Sequence, residues 1–552
     1  MFNAVINKIY WDRIHCYFEI ECDSDGKTEY EKLGFFLIDS DNHVELKLRI
    51  VSRKDNRFLA TFNVTNNGHN DCIKAGLYRI YAVNNNTLID YCLASTDILS
   101  ELDNYSRSYL YNNNRNIYSA VFSIDEGDDR LPLVIRFFKS GDRNAENHLN
   151  KATAKRFIYN FFRFFHGKNR NKKVLFLSEQ SPLMKANLKA VYAKMMERGL
   201  DKQFKISVST RAGGRRYPIY SWIKVIRKLS AADVIFVDDH VPLLDYIRLK
   251  DTKVIQLWHA GAGFKNVGYS RWGHKACPAP MSCHRQYKYG ITASRGIAHF
   301  FSEVWGMEDE YVLPTGMPRM DEFLDEEYRK NKEKELYERY PLCKGKKVIL
   351  FAPTYRGKVK RESYYPYDRI DFGEMYDLCQ DEYVVLFKMH PFITEPVPIA
   401  EKYRDRMMDV GDYLNINDLF YITDLLITDY SSNIFEYSLM NKPMLFYAFD
   451  EIIYSFSRGF HRDYKEAAPG KICHTFDELI DAVRDEDFEF HKVKEYVEKH
   501  FDYIDSNASN RVIDWALLEK FPESVLADFK KLDDIQEEIK SLQQQIKEHE
   551  SV

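Results

Sequence analysis

The sequence predicts an α/β protein with two Rossmann-like domains, a β-sandwich-like domain before them and a short coiled coil after them. The first observation is length, because 552 residues exceed what one hydrophobic core usually supports. The second is a strand–helix alternation that begins near residue 173, since apolar strands separated by helical stretches form parallel sheets. The third is a preceding block of short, evenly spaced apolar runs.

Residues 1–150 form the predicted β-rich accessory domain. Runs such as HCYFEIEC, KLGFFLID and VELKLRIV alternate apolar and polar positions, and Asn, Asp and Gly separate them. This spacing is typical of a β-sandwich, in which alternate side chains face a shared core. The block contains no cluster of catalytic residue types, so we predict an accessory domain.

Residues 151–172 form a basic, aromatic segment that we predict to be a helix or linker. The stretch KATAKRFIYNFFRFFHGKNRNKK, which runs to residue 173, has eight Lys and Arg residues and no acid. Phenylalanines beside cations are typical of a helix that lies on an anionic membrane surface. The alternative is a linker helix that packs its aromatic side chains on the next domain. The candidate membrane residues are Arg156, Phe161, Arg163, Phe164 and Phe165.

Two sets of strand–helix alternation define the Rossmann-like domains, residues 173–340 and 341–515. The first set contains the apolar runs KVLFLS, DVIFVDD, KVIQLWH and KYGITAS. The second contains KKVILFAPTY, YVVLFKMH, DLLITDY and PMLFYAFD, and the break lies near 341-PLCKGKK-347. Functional groups in such folds lie at the carboxyl ends of the strands, so we expect a site in the cleft between the domains.

Residues 516–552 form the predicted helical tail. Apolar residues recur there at seven-residue intervals, with a second set between them: Val525, Leu532, Ile539 and Ile546, then Ile535 and Leu542. The pattern favours a short coiled coil through which the chain self-associates, and it therefore predicts a homo-oligomer. The alternative is a helix that packs back on its own domain.

Composition excludes several classes of function. The formal net charge is −4, from 79 Lys and Arg against 83 Asp and Glu, so no overall field attracts nucleic acid. The nine scattered cysteines fit a reducing compartment better than a disulfide framework. Cys277, Cys283 and His284 lack the spacing and the fourth ligand of a zinc site, so we expect no metal. The sequence shows neither a signal peptide nor an apolar run of about 20 residues, which predicts a soluble or peripheral protein.

Four polar clusters follow predicted strands directly. Since the carboxyl ends of parallel strands meet at one edge of a sheet, we expect the clusters to face the cleft. Two of them place a histidine, His259 and His390, where an apolar strand ends. The clusters are 258-WHAGAGFK-265, 353-PTYR-356, 388-KMHP-391 and 428-TDYSS-432.

The helix start after the last cluster predicts a phosphate site. Ser431 and Ser432 precede the helical stretch NIFEYSLMNKP, whose first N–H groups would point into the cleft. Arg356 and Lys388 add two cations, and Glu436 adds a carboxylate that can hold ribose hydroxyls. Taken alone, the serines are more simply an ordinary helix cap, but the whole set suits a nucleotide diphosphate. Neither G-x-G-x-x-G nor a Walker loop is present, so hydride transfer and ATP hydrolysis lack their usual marks.

These clusters resemble the CDP-glycerol/CDP-ribitol phosphotransferase family of wall teichoic acid synthesis. The resemblance rests on the strings WHAGAGFKNVGYSR, PTGMPRMD, VILFAPTYRG, VVLFKMHPF and LLITDYSSNIFEYSLMNKPMLFYAFD, and it covers roughly residues 173–515. The start INKIYWDRIHCYFE also resembles the accessory domain of the poly(ribitol phosphate) polymerases of that family. Shorter members that prime with CDP-glycerol typically have WHG where this sequence has WHA, and they often lack a proline at the position of Pro391.

The resemblance implies a GT-B-type fold and transfer of an alditol phosphate from its CDP carrier, without a cofactor. An acceptor hydroxyl attacks the phosphorus that bears the alditol, and CMP leaves. The family's proposed general base matches His259, and its second essential histidine matches His390. A neutral imidazole can take the hydroxyl proton, whereas a charged one can stabilise the phosphoryl oxygens or the leaving CMP.

The candidate binding residues divide between the two Rossmann-like domains. The second domain is expected to bind the CDP-alditol through Pro353, Thr354, Arg356, Lys388, Asp429, Ser431, Ser432 and Glu436. The first is expected to bind the acceptor, whose phosphates are assigned to Lys265, Arg271 and Arg319, although ordinary surface charge explains these three equally well. Gly261 and Gly263 are expected to leave room beside His259 for a polymer end.

The expected function is therefore transfer of ribitol phosphate from CDP-ribitol to a lipid-linked poly(alditol phosphate) primer at the cytoplasmic face of a bacterial membrane. One alternative is the same reaction with CDP-glycerol, and another is a nucleotide-sugar glycosyltransferase of the same fold. A noncatalytic scaffold is a third, which the presence of both histidines disfavours. The choice of alditol, the length of the product and the oligomer number stay open.

Overall fold

The computed structural model describes residues 2–23, 29–111, 115–125, 127–128, 130, 132–141, 149–165, 172–212, 217–249, 251–261, 266–271, 277–357, 360–457 and 459–550. Within these ranges the chain forms two mainly antiparallel sheets up to Gly141 and two parallel sheets from Lys173 onward. The predicted change from alternating strands to strand–helix units is confirmed.

The two amino-terminal sheets enclose one hydrophobic core. One has the order β5-β6-β2-β1-β9, and the other β10-β11-β12-β7-β3-β4, with β8 beside β7. Side chains from both sheets, such as Phe18 and Phe35, are fully buried in this core because alternate residues of each strand point inward. The strands are β1 (Asn3–Asp12), β2 (His15–Asp23), β3 (Leu33–Asp39), β4 (Val44–Lys47), β5 (Arg49–Lys54), β6 (Arg57–Asn63), β7 (Gly76–Asn84), β8 (Thr87–Tyr91), β9 (Leu93–Ala94), β10 (Arg107–Tyr111), β11 (Asn116–Ile124) and β12 (Leu133–Gly141). Short helices α1 (Thr96–Leu99) and α2 (Leu102–Tyr105) connect β9 to β10, and helix α3 (Leu149–Phe165) follows the domain.

The first parallel sheet has the order β14-β13-β15-β16-β17-β18. Its strands are β13 (Lys173–Ser178), β14 (Lys205–Thr210), β15 (Val234–Val237), β16 (Lys253–Gln256), β17 (Tyr287–Ile291) and β18 (Val312–Leu313). Helices pack on both faces, as the nearly continuous apolar strands require: α4 (Ala186–Glu197), α5 (Ile219–Ala231), α6 (Pro242–Tyr246), α7 (Ala298–Trp305), α8 (Met320–Phe323) and α9 (Glu326–Arg339).

The second parallel sheet has the order β21-β20-β19-β22-β23-β24, which is the Rossmann order 3-2-1-4-5-6. Its strands are β19 (Lys347–Phe351), β20 (Tyr383–Phe387), β21 (Met407–Asp409), β22 (Leu425–Thr428), β23 (Met444–Tyr447) and β24 (Lys471–Cys473). Its helices are α10 (Phe372–Cys379), α11 (Ile416–Leu419), α12 (Ile434–Ser438), α13 (Glu451–Ser457), α14 (Tyr464–Ala467), α15 (Phe476–Arg484) and α16 (His491–His500). The order reverses between β19 and β22, so the clusters that follow these strands lie where such sheets bind ligands.

The chain then returns to the first parallel sheet before it reaches the predicted boundary at residue 515. Helix α17 (Ala508–Arg511) begins where the Asp321 carboxylate accepts the backbone N–H groups of Ala508 and Ser509, each at 2.8 Å. Arg511 Nε donates to the Thr315 carbonyl at 2.7 Å. The segment therefore packs on the first domain, although it lies within the range that the sequence assigns to the second.

The tail helix α18 (Glu523–Glu550) corrects the predicted coiled coil. Most of its seam lies against its own chain: Val525 is buried in the core shared by the parallel sheets, and Leu542 and Ile546 pack on Phe36 and Ile38 of β3. A seam that is occupied in this way does not supply the surface for self-association, so the alternative interpretation of the heptads is the correct one.

None of the helices in the described ranges is long and apolar enough to cross a bilayer. All nine cysteines are buried with free thiols. Cys277 belongs to the core of the β-rich domain, whereas Cys283 lies beside His240 and Asp245.

Candidate active site

His259 is held at the carboxyl end of β16 by groups that follow the neighbouring strand β15. Its Nδ1 lies 3.3 Å from the Asp238 carbonyl and 3.4 Å from Asp239 Oδ2. Because both partners are acceptors, the Nδ1 carries the proton, and the Nε2 lone pair is left to act as a base. Half of the imidazole is exposed, and its ring contacts that of Trp258 in a tilted arrangement with centroids 4.6 Å apart.

Asp238 adds a buried carboxyl group beneath this histidine. Burial raises the pKa of Asp238 above its ordinary value, and hydrogen bonding from Ser178 opposes the rise. Trp258 adopts a left-handed backbone conformation with φ of 52°, which turns the chain sharply out of the strand. His259 is thus placed by the sheet edge, as the sequence predicts, and oriented by two aspartates that the sequence analysis missed.

A cavity of about 200 Å³ lies between the two parallel-sheet domains at His259. The first domain contributes His259 and Phe300, and the second contributes Ser432, His461 and Arg462. His259 and Ser432 are therefore brought together as predicted. His390 does not line this cavity.

Arg462 is the cation of this cavity, and the sequence analysis did not identify it. Its Nη1 lies 2.6 Å from His500 Nε2, and its buried Nε has no hydrogen-bond partner among the described residues. Burial lowers the pKa of Arg462 to about 10, which still leaves it charged at neutral pH. Since no carboxylate of the described residues pairs with it, Arg462 is available to an anionic ligand.

His461 connects this cavity to the β-rich domain. Its Nε2 lies 2.7 Å from Glu303 Oε2, and Glu303 also binds Arg13 at 2.9 Å and His15 at 3.3 Å. Burial would raise the pKa of Glu303, but hydrogen bonds with His15 and His461 outweigh it and hold that pKa well below its usual range. One ionised carboxylate thus joins all three domains beside the site.

A larger groove, of about 920 Å³, leads from the cavity to the β-rich domain. It shares Phe300 and Arg462 with the cavity. Its cations and acids are mixed, and they come from all three domains: Arg13, Arg49, Lys465, Lys492 and Lys499, with Asp12, Glu303, Asp309, Asp463, Glu466 and Glu495. The lining therefore offers both cations and hydrogen-bond acceptors to a ligand.

His390 follows β20 and contacts aromatic rings. Its ring centroid lies 4.6 Å from that of Tyr355 and 4.8 Å from that of Phe392. Its Nδ1 accepts the backbone N–H of Phe392 at 3.1 Å, so the proton of the neutral ring resides on Nε2. The two histidines therefore present opposite functions, a lone pair on His259 and a donor on His390.

The predicted phosphate ligand Arg356 is instead a buried structural cation, which corrects the sequence analysis. It binds Asp450 through two contacts of 2.7 and 2.8 Å and Asp429 at 2.8 Å. Thr354 accepts from the same guanidinium at 3.0 Å, and Asp429 accepts the Thr354 N–H at 2.8 Å. Burial opposes the charge on Arg356, but the two carboxylates outweigh it and raise the arginine pKa further. Arg356, Thr354 and Asp429 hold the carboxyl ends of β19 and β22 together, and the backbone of Pro353 leads into this turn.

Lys388 is likewise buried at the end of β20. Its Nζ donates to the Gly411 carbonyl at 3.2 Å, and burial lowers its pKa. The described lining of the His259 cavity does not include it.

The helix after Ser432 is shorter than the sequence suggests. Helix α12 has five residues, so its dipole is weak, and Asn433 occupies the cap position without a side-chain cap bond. Ser431 Oγ accepts the Asn433 N–H at 3.4 Å, as an ordinary turn serine does. The serines thus start the turn, whereas the predicted helix-dipole site is not formed.

Glu436 and Arg319 form a bridge between the two domains. Arg319 donates to the backbone carbonyl of His259 and to the Glu436 carboxylate, which is buried. Arg319 therefore positions the His259 loop, and both side chains are engaged rather than free for acceptor phosphate or ribose. Gly261 lies against the same helix, since a Cβ there would meet Phe435 Cδ1 at 2.2 Å. Gly261 therefore permits close contact between the two domains and does not leave room for a polymer.

Three other predicted residues remain to be placed. Arg271 ends a 3-10 turn in the first domain, and its buried Nε has no hydrogen-bond partner among the described residues. Lys265 and Gly263 lie outside the described residues.

The grouping of His240, Asp245 and Cys283 was not predicted either. Their potential ligand atoms lie within 4.8 Å of one another, and His240 Nε2 binds Asp245 Oδ2 at 2.9 Å. That ion pair and the hydrogen bond from the Cys283 N–H to Asp245 at 2.7 Å account for the cluster as a hydrogen-bonded support of the β15 loop.

Comparison with known proteins gives three consistent findings. The model of the CDP-Glycerol:Poly(glycerophosphate) glycerophosphotransferase family matches residues 158–518. The teichoic acid ribitol-phosphate polymerase TarL of Staphylococcus aureus is 41% identical over 382 residues, which cover 68% of this chain and 67% of TarL. The teichoic acid ribitol-phosphate polymerase TarK of the same organism is 40% identical, over 64% of this chain and 70% of TarK.

A solved structure of the wall teichoic acid polymerase TagF shares the fold. The two structures align with a TM-score of 0.51 at 22% identity, over 69% of this chain and 98% of the TagF chain. The family match spans both parallel sheets and includes both histidines, His259 and His390. The chain therefore belongs to the CDP-glycerol:poly(glycerophosphate) glycerophosphotransferase family.

Proposed function

We propose that this chain is a CDP-alditol phosphotransferase that moves ribitol phosphate from CDP-ribitol to a lipid-linked poly(alditol phosphate) during wall teichoic acid synthesis. The observation that carries the proposal is the orientation of His259, whose Nδ1 faces two aspartates and whose Nε2 is free as a base. The ribitol specificity rests on the two polymerases of about 40% identity.

The reaction balances with the groups present. The acceptor hydroxyl gives its proton to His259 Nε2 as its oxygen forms a bond to the phosphorus that bears ribitol. The bond from that phosphorus to the CMP oxygen breaks, and CMP leaves with the electron pair. His390, which carries its proton on Nε2, donates a hydrogen bond to the phosphoryl oxygens or to CMP.

The two sides of the cleft take different substrates. The CDP-alditol lies on the second domain near Ser431 and Ser432, at the point where its strand order reverses. The acceptor lies in the groove of about 920 Å³, where Arg462 meets the phosphate nearest the reacting hydroxyl. This assignment gives the β-rich domain a role, because one wall of the groove belongs to it.

Attachment to the membrane is assigned to α3. Phe157, Phe161, Phe164 and Phe165 are 70%, 52%, 85% and 64% exposed, which is unusual for phenylalanine. Such a helix binds reversibly at the surface of an anionic bilayer, so the enzyme acts peripherally on the cytoplasmic face. Arg156 and Arg163 are less free than the sequence suggests, because they donate to the carbonyls of Tyr246 and Ser230 at 2.8 and 3.0 Å.

The test is product analysis with a defined lipid-linked primer. CDP-ribitol, CDP-glycerol and a panel of UDP-sugars are supplied separately, and released nucleotide and product mass are measured. We expect CMP and ribitol phosphate transfer with CDP-ribitol, and a loss on the order of a hundredfold in His259→Ala and His390→Ala. His43→Ala is the control, since His43 is 64% exposed on the β-rich domain. Transfer only from a UDP-sugar, or full activity in either site variant, contradicts the proposal.

A further inference from the structure

A second pocket, of about 730 Å³, lies at the outer edge of the first parallel sheet between β14 and α5. Its described lining residues include no acid, in a protein whose formal net charge is −4. Six cations line it: Lys173, Lys205, Arg211, Lys224, Arg227 and Lys228. None of its residues lines the cavity at His259, so the pocket is separate from the catalytic site.

Five of these six cations form no ion pair with the described residues. Among the described residues, only Arg211 of the six is paired with a carboxylate, that of Glu179. Arg211 is 6% exposed, and its Nε and Nη1 are buried without a hydrogen-bond partner among the described residues. The guanidinium lies over the Trp222 ring at 4.0 Å, and its N–H groups without a hydrogen-bond partner suit an anionic ligand. Hydroxyl groups of Ser207, Ser209, Thr210 and Ser221 are also in the lining, and they suit phosphate oxygens.

The pocket adjoins the exposed phenylalanines because α3 and α5 run side by side in the same direction. Lys155 lies over the Trp222 ring at 4.6 Å, and eight residues later Arg163 donates to the Ser230 carbonyl at 3.0 Å. Two apolar residues at the start of α5 are also exposed, Ile219 at 76% and Tyr220 at 64%. Lys224 and Lys228, which line the pocket, follow Tyr220 at four-residue intervals and therefore lie on the same side of α5.

We propose that this pocket binds the phosphate headgroup of an anionic lipid while the phenylalanines of α3 enter the apolar layer beside it. An exposed apolar patch next to a pocket whose charged residues are all cations matches the order of layers in a bilayer, where phosphates lie above the acyl chains. A soluble polyanion would account for the cations but not for the exposed Phe161 and Phe164. The inference rests on the proposed membrane contact of α3 and assigns its headgroup site.

The experiment is cosedimentation of the full chain with vesicles at low and high salt. One vesicle is phosphatidylcholine alone, and the other also contains phosphatidylglycerol. The variant is Lys224→Gln/Lys228→Gln, and its control is Lys330→Gln/Lys334→Gln, which removes a lysine pair of the same spacing from the exposed side of α9. Each cation near an anionic surface changes binding about fivefold, so we expect a loss of about thirtyfold on phosphatidylglycerol vesicles at low salt. The control variant should bind like the wild type.

Several outcomes decide the matter. Equal binding by the two lysine variants overturns the proposal, as does wild-type protein that binds neither vesicle. A fall in transfer to a soluble acceptor in Lys224→Gln/Lys228→Gln also overturns it, because the pocket would then serve catalysis. If Phe161→Ser/Phe164→Ser binds like the wild type, the phenylalanines of α3 do not enter the bilayer, and the proposal is overturned. Absence of transfer by the wild type would refute the proposed reaction without affecting the vesicle results.

Discussion

Replacing Arg356 with methionine tests whether this arginine is a structural cation or a ligand for CDP-alditol. The side chain is 9% exposed and lies between Asp429 and Asp450. Methionine keeps the apolar stem of the side chain and removes the charge. Both carboxylates are then left without their partner at the carboxyl ends of β19 and β22.

The magnitude follows from the burial of these partners. Removing one member of a buried ion pair costs about 3–5 kcal/mol, since the remaining charge stays desolvated. Asp429 is 1% exposed and cannot recover its hydration, whereas Asp450 is 15% exposed and recovers part of it. We therefore expect the lower end, about 3 kcal/mol of lost unfolding free energy, for Arg356→Met.

The assay is urea unfolding followed by fluorescence, together with the KM for CDP-ribitol. A loss of about 3 kcal/mol lowers the urea midpoint by about 1 M or more, given slopes of about 1–3 kcal/mol per M. Arg369→Met is the control, because Arg369 is exposed and only lies near the Phe449 ring at 5.9 Å. Coincident midpoints for the two variants, with a raised KM in Arg356→Met alone, refute the structural assignment and restore the ligand role.

Three further predictions address the domain contact, the pH dependence and the tail. Gly261→Ala should reduce turnover tenfold or more without unfolding the protein, because the added Cβ would lie 2.2 Å from Phe435 and push the domains apart at His259. Unchanged turnover would contradict this prediction. Burial lowers the pKa of His500 from 6.5 to about 2, so below pH 6.5 the unfolded chain binds a proton that the folded chain does not, and stability falls as pH falls. Between pH 7 and pH 5 the wild type should therefore lose about 2 kcal/mol of unfolding free energy that His500→Gln does not lose. Urea midpoints at both pH values measure the difference. Leu542→Ala should lower the free energy of unfolding by about 2–5 kcal/mol, because Leu542 is buried against β3. Leu526 is 52% exposed, so Leu526→Ala should lower it by less than about 0.5 kcal/mol. Equal effects would mean that the tail does not pack on β3.

The spacing of apolar residues and the positions of polar residues at strand ends made much of the fold predictable. The apolar runs at KVIQLWH and YVVLFKMH became β16 and β20, and each histidine came to lie at the carboxyl end of its strand. This succeeds because a parallel strand buried on both faces leaves a sequence signal that depends on few neighbours. The positions of His259 and His390 follow from that signal alone.

Partners distant in sequence were not predictable in the same way. Arg356 and Asp450 are 94 residues apart, and nothing local distinguishes Asp450 from an ordinary loop acid. A cation at a strand end looks the same in sequence whether it faces solvent, a ligand or a buried carboxylate. The prediction of a coiled coil in the tail failed for a related reason, because heptad spacing describes an apolar stripe on a helix and not the surface that covers it.

Glu303 explains why the β-rich domain belongs to this enzyme instead of being an appendage. Arg13 and His15 of that domain bind one side of the carboxylate, and His461 of the second parallel-sheet domain binds it at 2.7 Å. His461 and its neighbour Arg462 line the cavity at His259, so the amino-terminal domain reaches the site through a single buried anion. Removal of the β-rich domain would leave Glu303 ionised and partly unpaired in a buried position. Rehydration of the carboxylate would then compete with its contact to His461. The β-rich domain therefore fixes the wall of the cavity from which Arg462 projects, and it does so without contributing a catalytic group.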